Sequence, residues 1–160
     1  MKPDVRKSIE DGLRRARAII PKSLLPPLPT TPELRGEPQW YPFEHQVWTV
    51  GEEIRQSIGT MPRLRKDGAL QLGILEVACD RRALRGRQSF ILLLAHRAAA
   101  AHGAAIAGQL DDPGVAGHVI NALYLMRARG FMPQVWPFLE DEKTWVRREA
   151  RRYLAWGAGG

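Results

Sequence analysis

The clearest cluster of side chains that could bind a ligand is a group of four arginines between two apolar stretches: Arg81, Arg82, Arg85 and Arg87. A guanidinium group stays charged at physiological pH and donates paired hydrogen bonds to carboxylates and phosphates. The group therefore predicts a contact surface for an anionic partner, and we add Arg148 as a further candidate. Guanidinium chemistry does not choose between an acidic protein and a nucleic acid, and such residues are also typical of a solvated turn.

The overall charge favours the same classes of partner only mildly. The chain has 24 lysines and arginines against 17 acidic residues, a formal net charge of +7. A basic surface attracts nucleic acid, anionic membranes and acidic proteins. The arginines are nevertheless spread along the whole chain, without an uninterrupted basic run of five, and this is typical of a solvated surface.

Residue patterns for catalysis or metal binding are scarce. His96 and His102 are six positions apart, a spacing that does not place two ligands on one helix face. The sequence has neither a glycine-rich phosphate loop nor a nucleophile elbow. The single cysteine, Cys79, follows apolar residues and is expected to be a small buried side chain without a disulfide. We therefore predict a protein that is not an enzyme and that binds no metal or cofactor.

The residues before Phe43 predict one helix followed by an extended connection. The helix is expected to begin near Pro3 or Asp4 and to end at Pro21, because apolar residues recur at helical spacing. These are Val5, Ile9, Leu13, Ala16 and Ile20. Seven prolines from Pro21 to Pro42 then predict an extended segment laid along the fold, or alternatively a ligand for a Pro-binding domain. We accordingly divide the chain into an N-terminal part, residues 1–42, and a helical repeat domain, residues 43–160.

From residue 43 onward, helical periodicity with short turns predicts an all-α chain of antiparallel helix pairs. Helices are expected at about residues 44–57, 67–79, 87–100, 103–110, 114–128, 132–139 and 144–156. Glycines are expected to end helices and prolines to begin them, the glycines being Gly59, Gly103, Gly130 and Gly157 and the prolines Pro113 and Pro133. The longest apolar stretch, residues 90–95, is too short to cross a membrane. We expect a cytoplasmic protein.

The last third of the sequence contains an internal repeat. Three aliphatic positions recur with a displacement of 31 residues: Val115, Val119 and Leu123 correspond to Val146, Ala150 and Leu154. A leucine and two acidic residues precede each copy, at residues 110–112 and at residues 139–141. A helix pair cannot cover its own apolar face, and it therefore stacks on a copy of itself.

The stretch LEDEKTWVRREARRYL at residues 139–154 resembles the short bacterial HEAT-like repeats named after phycobilin lyase subunits, whose pattern is Leu, Asp, Val-Arg, Ala, Leu. Residues 112–123 look like the preceding unit and residues 87–110 like a degenerate one before it, so that the resemblance covers residues 85–156. It implies a right-handed α-solenoid of antiparallel helix pairs, here preceded by the N-terminal helix and the Pro-rich segment. Repeats of this kind serve as binding scaffolds.

The resemblance also implies roles for particular residues. In that family, an aspartate in the turn between helices and an arginine that opens the second helix form a ladder between neighbouring repeats. Asp141 and Arg147 fit these positions in the last unit. In the unit before it, Ala116 occupies the arginine position, so that the ladder is incomplete there. We expect Asp111 or Asp112 to do no more than cap the helix that follows.

Three functions are open at this point. The leading hypothesis is a monomeric, non-enzymatic scaffold that binds a partner protein, as an adaptor or as a neutraliser, on the surface made by the second helix of each pair. The first alternative is nucleic-acid binding, including the HEAT-like DNA glycosylases, and it draws on the basic charge and the five tryptophans. The second is a chromophore-lyase-like subunit, which draws on the family name alone.

Overall fold

The computed structural model describes residues 4–30 and 37–159, and within these ranges the chain is all-helical, as the sequence predicts. Eight α-helices are found there: α1 (Val5–Ile19), α2 (Pro42–Thr60), α3 (Gly68–Ala78), α4 (Gln88–Leu93), α5 (Gly103–Ala107), α6 (Ala116–Met126), α7 (Met132–Val135) and α8 (Thr144–Ala158). Four short 3-10 helices join them: Pro62–Lys66, Arg81–Arg87, Arg97–His102 and Trp136–Glu140. None of the helices described is long and apolar enough to cross a membrane.

The first helix forms for the reasons that its sequence indicates. Asp4 caps α1, because its carboxylate accepts a hydrogen bond from the backbone N–H of Lys7 at 3.0 Å. The apolar face of α1, with Ile9 and Leu13, is buried against α2 and α3. The boundary predicted at residue 42 therefore marks a change of local structure and not a separate core.

The even-numbered helices form a row. Helix α2 packs against α4, α4 against α6, and α6 against α8, and each of them also packs against the odd-numbered helix that precedes it. One hydrophobic core follows this row from Ile9 in α1 to Leu154 in α8. The packing of neighbouring helix pairs thus covers the apolar faces that a single pair would leave in water.

The two copies of the repeated aliphatic pattern are both buried. Val115 and Leu123 have no exposed surface, and Val146 and Leu154 are 4% and 7% exposed. The helices that carry them, α6 and α8, approach closely at Gly117, where an added Cβ would lie 2.3 Å from Cη2 of Trp145. Only glycine permits this approach without a shift of the tryptophan ring.

The single helix predicted over residues 87–100 is wrong. Helix α4 ends at Leu93, His96 is extended (φ −157°, ψ 160°), and a 3-10 helix follows. Alanine favours an α-helix here, but a tertiary contact overrides that preference: the buried amide of Gln71 donates to the carbonyl oxygen of Ala98 at 3.1 Å. The helix predicted to end at residue 139 likewise becomes 3-10 after Val135.

None of the four glycines predicted to end helices ends an α-helix. Gly103 begins α5, and Gly59 and Gly157 lie inside α2 and α8. Gly130 lies in the loop after α6 with a φ of +97°, a conformation that suits glycine. The end of α6 itself is formed by Arg127, with a φ of 57°.

Candidate partner-binding groove

Two adjoining cavities lie between the Pro-rich segment and the turns that precede α4, α6 and α8. The first, of about 600 Å³, lies between residues 24–27 and residues 111–114 and includes Leu84. The second, of about 790 Å³, lies between Thr30, Pro38 and Trp40 on one side and the start of α8 on the other. Their walls share Arg85, Pro113 and Gly114. We call the two cavities together the turn groove.

The Pro-rich segment is fixed at the groove by hydrogen bonds that involve the start of α2. The hydroxyl of Tyr41 donates to the carbonyl oxygen of Pro26 at 2.7 Å. The side chain of Glu44, which is fully buried, accepts from the backbone N–H of Tyr41 at 2.7 Å and from that of Arg85 at 2.9 Å. One carboxylate therefore joins the end of the Pro-rich segment to the 3-10 helix that carries the arginines.

Two of the predicted arginines have carboxylate partners on the surface. Arg81 donates from Nη2 to Oδ1 of Asp111 at 2.6 Å and to the carbonyl oxygen of Gly108 at 3.0 Å. Arg82 binds both carboxylate oxygens of Asp80, at 2.7 and 2.9 Å. The hydrogen bonds from these guanidinium groups hold the pKa values of Asp111 and Asp80 below their usual range.

Arg87 is not part of a contact surface, contrary to the sequence prediction, because its side chain is fully buried. Its Nη1 donates to the carbonyl oxygen of Ala78 at 3.1 Å and to Oε1 of Gln109 at 2.7 Å. Its Nη2 donates to Oδ2 of Asp112 at 2.5 Å. A buried guanidinium must be neutralised inside the protein, and Asp112 does this from the turn before the next even-numbered helix.

Asp112 therefore does more than the capping predicted for it. Its Oδ1 accepts from the backbone N–H of Gly114 at 2.9 Å and so shapes the turn, while Oδ2 binds Arg87. The N-cap position of α6 is Val115, which provides no side-chain hydrogen bond. The ion pair spans 25 residues and joins the start of α4 to the start of α6.

Asp141 and Arg147, which the resemblance places at the ladder positions of the last unit, form no ion pair with each other. Arg147 donates to the carbonyl oxygen of Asp141 at 2.6 Å, whereas the Asp141 carboxylate accepts from the backbone N–H of Lys143 at 2.8 Å. Arg87 lies 25 residues before Asp112, and the residue 25 positions before Asp141 is Ala116. The side chain of Ala116 cannot donate to a carboxylate. Asp141 thus lacks the partner that Asp112 has.

Arg85 differs from the other three arginines of the predicted group. Its half-buried side chain lines both cavities, and its Cγ lies 3.2 Å from where a Cβ on Gly114 would be. Its guanidinium group forms no ion pair with any carboxylate in residues 4–30 and 37–159. Arg148 lies elsewhere, exposed on α8 and outside both cavities.

Comparisons with models of protein families, with curated proteins and with solved structures give no match to this chain. No family is shown. The chemistry of the groove is therefore argued from its own residues.

The two cavities differ in chemistry. The wall of the first is mostly apolar, formed by Leu24, Leu25, Pro26, Pro27, Leu84 and Pro113. Its charged side chains are Arg81, Asp111, Asp112 and Arg85; the two aspartates are paired with Arg81 and Arg87, so that Arg85 is its cation without a described carboxylate partner. The rim of the second carries Glu37, Glu140, Asp141 and Glu142 together with Lys143. In the described part of the chain, no group of three or more histidines, cysteines or carboxylates is placed to hold a metal ion. The first cavity is therefore suited to a ligand's apolar group and carboxylate, and the second is suited to a ligand's cation.

Several groove residues were not predicted from the sequence. From the sequence, Leu24 and Leu25 are expected only as part of an extended connection, although apolar residues between prolines are able to line a cavity. Glu44 follows Tyr41 by three positions at the start of a predicted helix, and an acidic residue at that spacing is a signal for a helix N-terminus. That signal predicts the contact with Tyr41 but not the contact with Arg85, which is 41 residues away.

His118 in the second cavity predicts a dependence of stability on pH. Burial lowers the pKa of His118 to about 4, and the ring packs edge-on against Trp145 with centroids 5.2 Å apart. The unfolded chain binds this proton near the ordinary value of 6.5. Protonation therefore favours the unfolded state between these values, and His118 lowers stability as pH falls from about 6.5 to about 4.

The variant His118→Phe isolates this contribution, because it keeps the aromatic contact and removes the titrating group. Denaturant unfolding of both proteins across this pH range is expected to show a steeper decline for the wild type. The difference in slope is expected to reach at most about 1.4 kcal/mol per pH unit, the value for one proton. Identical slopes would show that His118 is not shielded from water as the structure places it.

Proposed function

We propose that the chain is a right-handed α-solenoid of HEAT-like helix pairs, and that it is a non-enzymatic scaffold whose turn groove binds a segment of a partner protein. The packing order supports the solenoid. The even-numbered helices contact one another in sequence, and the buried pair between Arg87 and Asp112 joins successive helix pairs in the manner of the ladder that the HEAT-like family implies. A short repeat architecture of this type presents an extended surface at its turns.

The observation that carries the binding proposal is the guanidinium of Arg85, which forms no ion pair with a carboxylate of the described residues. Arg81, Arg82 and Arg87 are each neutralised by an aspartate within the described residues, and Arg85 alone of the four lines the groove without such a partner. A half-buried cation gains free energy when a carboxylate replaces the water around it. A carboxylate of a bound segment is the complementary group.

The backbone of the groove wall supports the same proposal. Leu84 has a φ of 49° and a ψ of −125°, a conformation that leucine rarely adopts. The hydrogen bond from the backbone N–H of Arg85 to Glu44 holds the next residue in place. Strained backbone of this kind clusters at functional sites, where the surrounding structure maintains it.

A peptide fits the groove better than a compact ligand does. The two cavities adjoin along a shared wall and together exceed the volume that a single small molecule fills. An extended segment with an apolar residue and a carboxylate at the first cavity, and a lysine or arginine at the acidic rim of the second, matches both halves. The carboxylates of that rim also disfavour the phosphates of a nucleic acid in the groove.

Selection from a library of displayed short random peptides tests this proposal. Panning on the purified chain is expected to enrich peptides that combine an acidic residue, an apolar residue and, further along, a basic residue. The same panning on Arg85→Ala is expected not to enrich them, whereas Arg82→Ala, a matched loss of one charge next to the groove, is expected to keep them. The absence of enrichment, or enrichment that persists in Arg85→Ala, would contradict the proposal.

A further inference from the structure

A second group of arginines lies outside the turn groove, where α6 and α8 end. Three guanidinium groups stack there on two aromatic rings; we call this set the arginine–aromatic cluster, and it consists of Tyr124, Arg127, Arg129, Arg152 and Trp156. Tyr124 and Trp156 meet edge to face with centroids 6.1 Å apart. None of the five residues lines the turn groove.

The aromatic rings fix the positions of the guanidinium groups. Arg127 and Arg152 lie over the ring of Tyr124, at 4.4 and 4.3 Å from its centroid. Arg129 lies over Trp156 at 4.5 Å, and Arg127 reaches the same ring at 5.5 Å. A guanidinium group stacked by its face keeps its N–H groups at the edge, where they are available to an anion.

The base of the cluster is rigid. Tyr153 is fully buried and packs against Trp156 with centroids 5.6 Å apart. Its hydroxyl donates to the carbonyl oxygen of Ala128 at 2.6 Å, so that the loop after α6 is fixed to α8. A fixed array of charges loses little conformational entropy when it binds a ligand.

The charge of the cluster is mostly uncompensated. Of its three arginines, only Arg152 has a carboxylate partner in the described part of the chain, Glu149 at 2.6 Å. Two further arginines of α8, Arg148 and Arg151, are exposed nearby along the helix and form no ion pair with a described carboxylate. The surface therefore has an excess of guanidinium groups over acids.

The backbone at Arg127 is unfavourable for an arginine. Its φ of 57° lies in the left-handed region, where helices commonly end with glycine, and the N–H of Ala128 closes the turn on the carbonyl oxygen of Leu123 at 3.0 Å. A cation at this point also interacts favourably with the C-terminal dipole of α6. The dipole, however, accounts for one cation and not for three stacked ones.

We propose that the arginine–aromatic cluster is a second binding surface, and that it takes a short acidic segment of a protein. A single-stranded nucleic acid binds by stacking its bases on open aromatic faces, and here guanidinium groups already cover those faces. A long polyanion laid along α8 would also meet Glu140, Asp141 and Glu142 at the other end of the helix. A few carboxylates match the size and the charge of the cluster. This proposal does not depend on the turn groove.

The test uses a dye-labelled oligoglutamate peptide and measures its fluorescence anisotropy with the full chain. The double variant Arg127→Gly with Arg129→Ala removes two charges from the cluster. The control, Arg63→Ala with Arg97→Ala, removes two exposed charges elsewhere that form no ion pair with a described carboxylate. The first is expected to weaken binding about tenfold or more, and the second is expected to change it far less. Equal weakening in both variants would show attraction to net charge alone and would overturn the proposal.

Two further measurements keep the test decisive. Arg127→Gly alone is expected to unfold at the same or a higher denaturant concentration than the wild type, because glycine adopts the left-handed turn without strain. A loss of peptide binding is then not a loss of fold. A short DNA duplex is expected to compete poorly with the peptide; a duplex that binds more tightly, through the same arginines, would overturn the assignment to an acidic protein segment.

Discussion

Replacement of Arg87 by alanine is expected to lower the free energy of unfolding by about 3 to 5 kcal/mol, the cost of breaking a buried ion pair by removing one partner. The guanidinium group is fully buried and binds the carbonyl oxygen of Ala78, the amide of Gln109 and the carboxylate of Asp112. Without it, the carboxylate of Asp112 loses its counter-ion, and a cavity opens between α4 and α6. Equilibrium unfolding in urea measures the loss.

Arg82→Ala is the matched control for this prediction. Arg82 is also bound to an aspartate, Asp80, but it is exposed, and exposed ion pairs contribute little to stability. The control is expected to unfold almost as the wild type does. A similar loss in both variants, or no loss in Arg87→Ala, would show that the pair with Asp112 does not hold the helix pairs together.

Replacement of Leu123 by alanine is expected to cost about 2 to 4 kcal/mol, because it removes buried methyl groups and leaves a cavity that the neighbouring helices fill only in part. Leu123 has no exposed surface and lies in α6, which packs against α8. The same range is expected for Val146→Ala in α8. Val146 is the counterpart of Val115 in the repeated aliphatic pattern.

Leu125→Ala provides the control on the same helix, because Leu125 is 40% exposed and lies only two positions away. Its loss is expected to stay under about 1 kcal/mol, since surface substitutions usually have small effects. A loss below about half a kcal/mol for Leu123→Ala would contradict the placement of the repeated aliphatic pattern in the core.

The long amphipathic helices were predictable from the sequence, and the short ones were not. Helices α1, α2 and α8 each repeat apolar residues over several turns, and local periodicity suffices to find them. The 3-10 helices depend on contacts that no local pattern encodes. The amide of Gln71, for example, binds the carbonyl oxygen of Ala98, 27 residues later, in a stretch of alanines that would otherwise favour a continuous helix.

The candidate site shows the same limit at the level of single residues. The sequence identifies the group of arginines as a unit, and spacing alone makes Arg85 and Arg87 equivalent. Their different roles arise from distant partners. Asp112, which lies 25 residues after Arg87, binds the guanidinium group of Arg87. The carboxylate of Glu44 accepts from the backbone N–H of Arg85, and the side chain of Arg85 forms no ion pair with a described carboxylate. Burial separates a structural arginine from one that is available to a ligand.

A titration of a groove peptide against Arg85→Ala tests the central claim most directly. With the peptide obtained by selection on the wild type, calorimetry is expected to show a Kd about 10- to 100-fold higher for Arg85→Ala, the cost of one charged hydrogen-bonded contact. Arg82→Ala is expected to bind with the wild-type Kd. Equal affinities for the wild type and Arg85→Ala would contradict the account, because the guanidinium of Arg85 would then have no part in recognition.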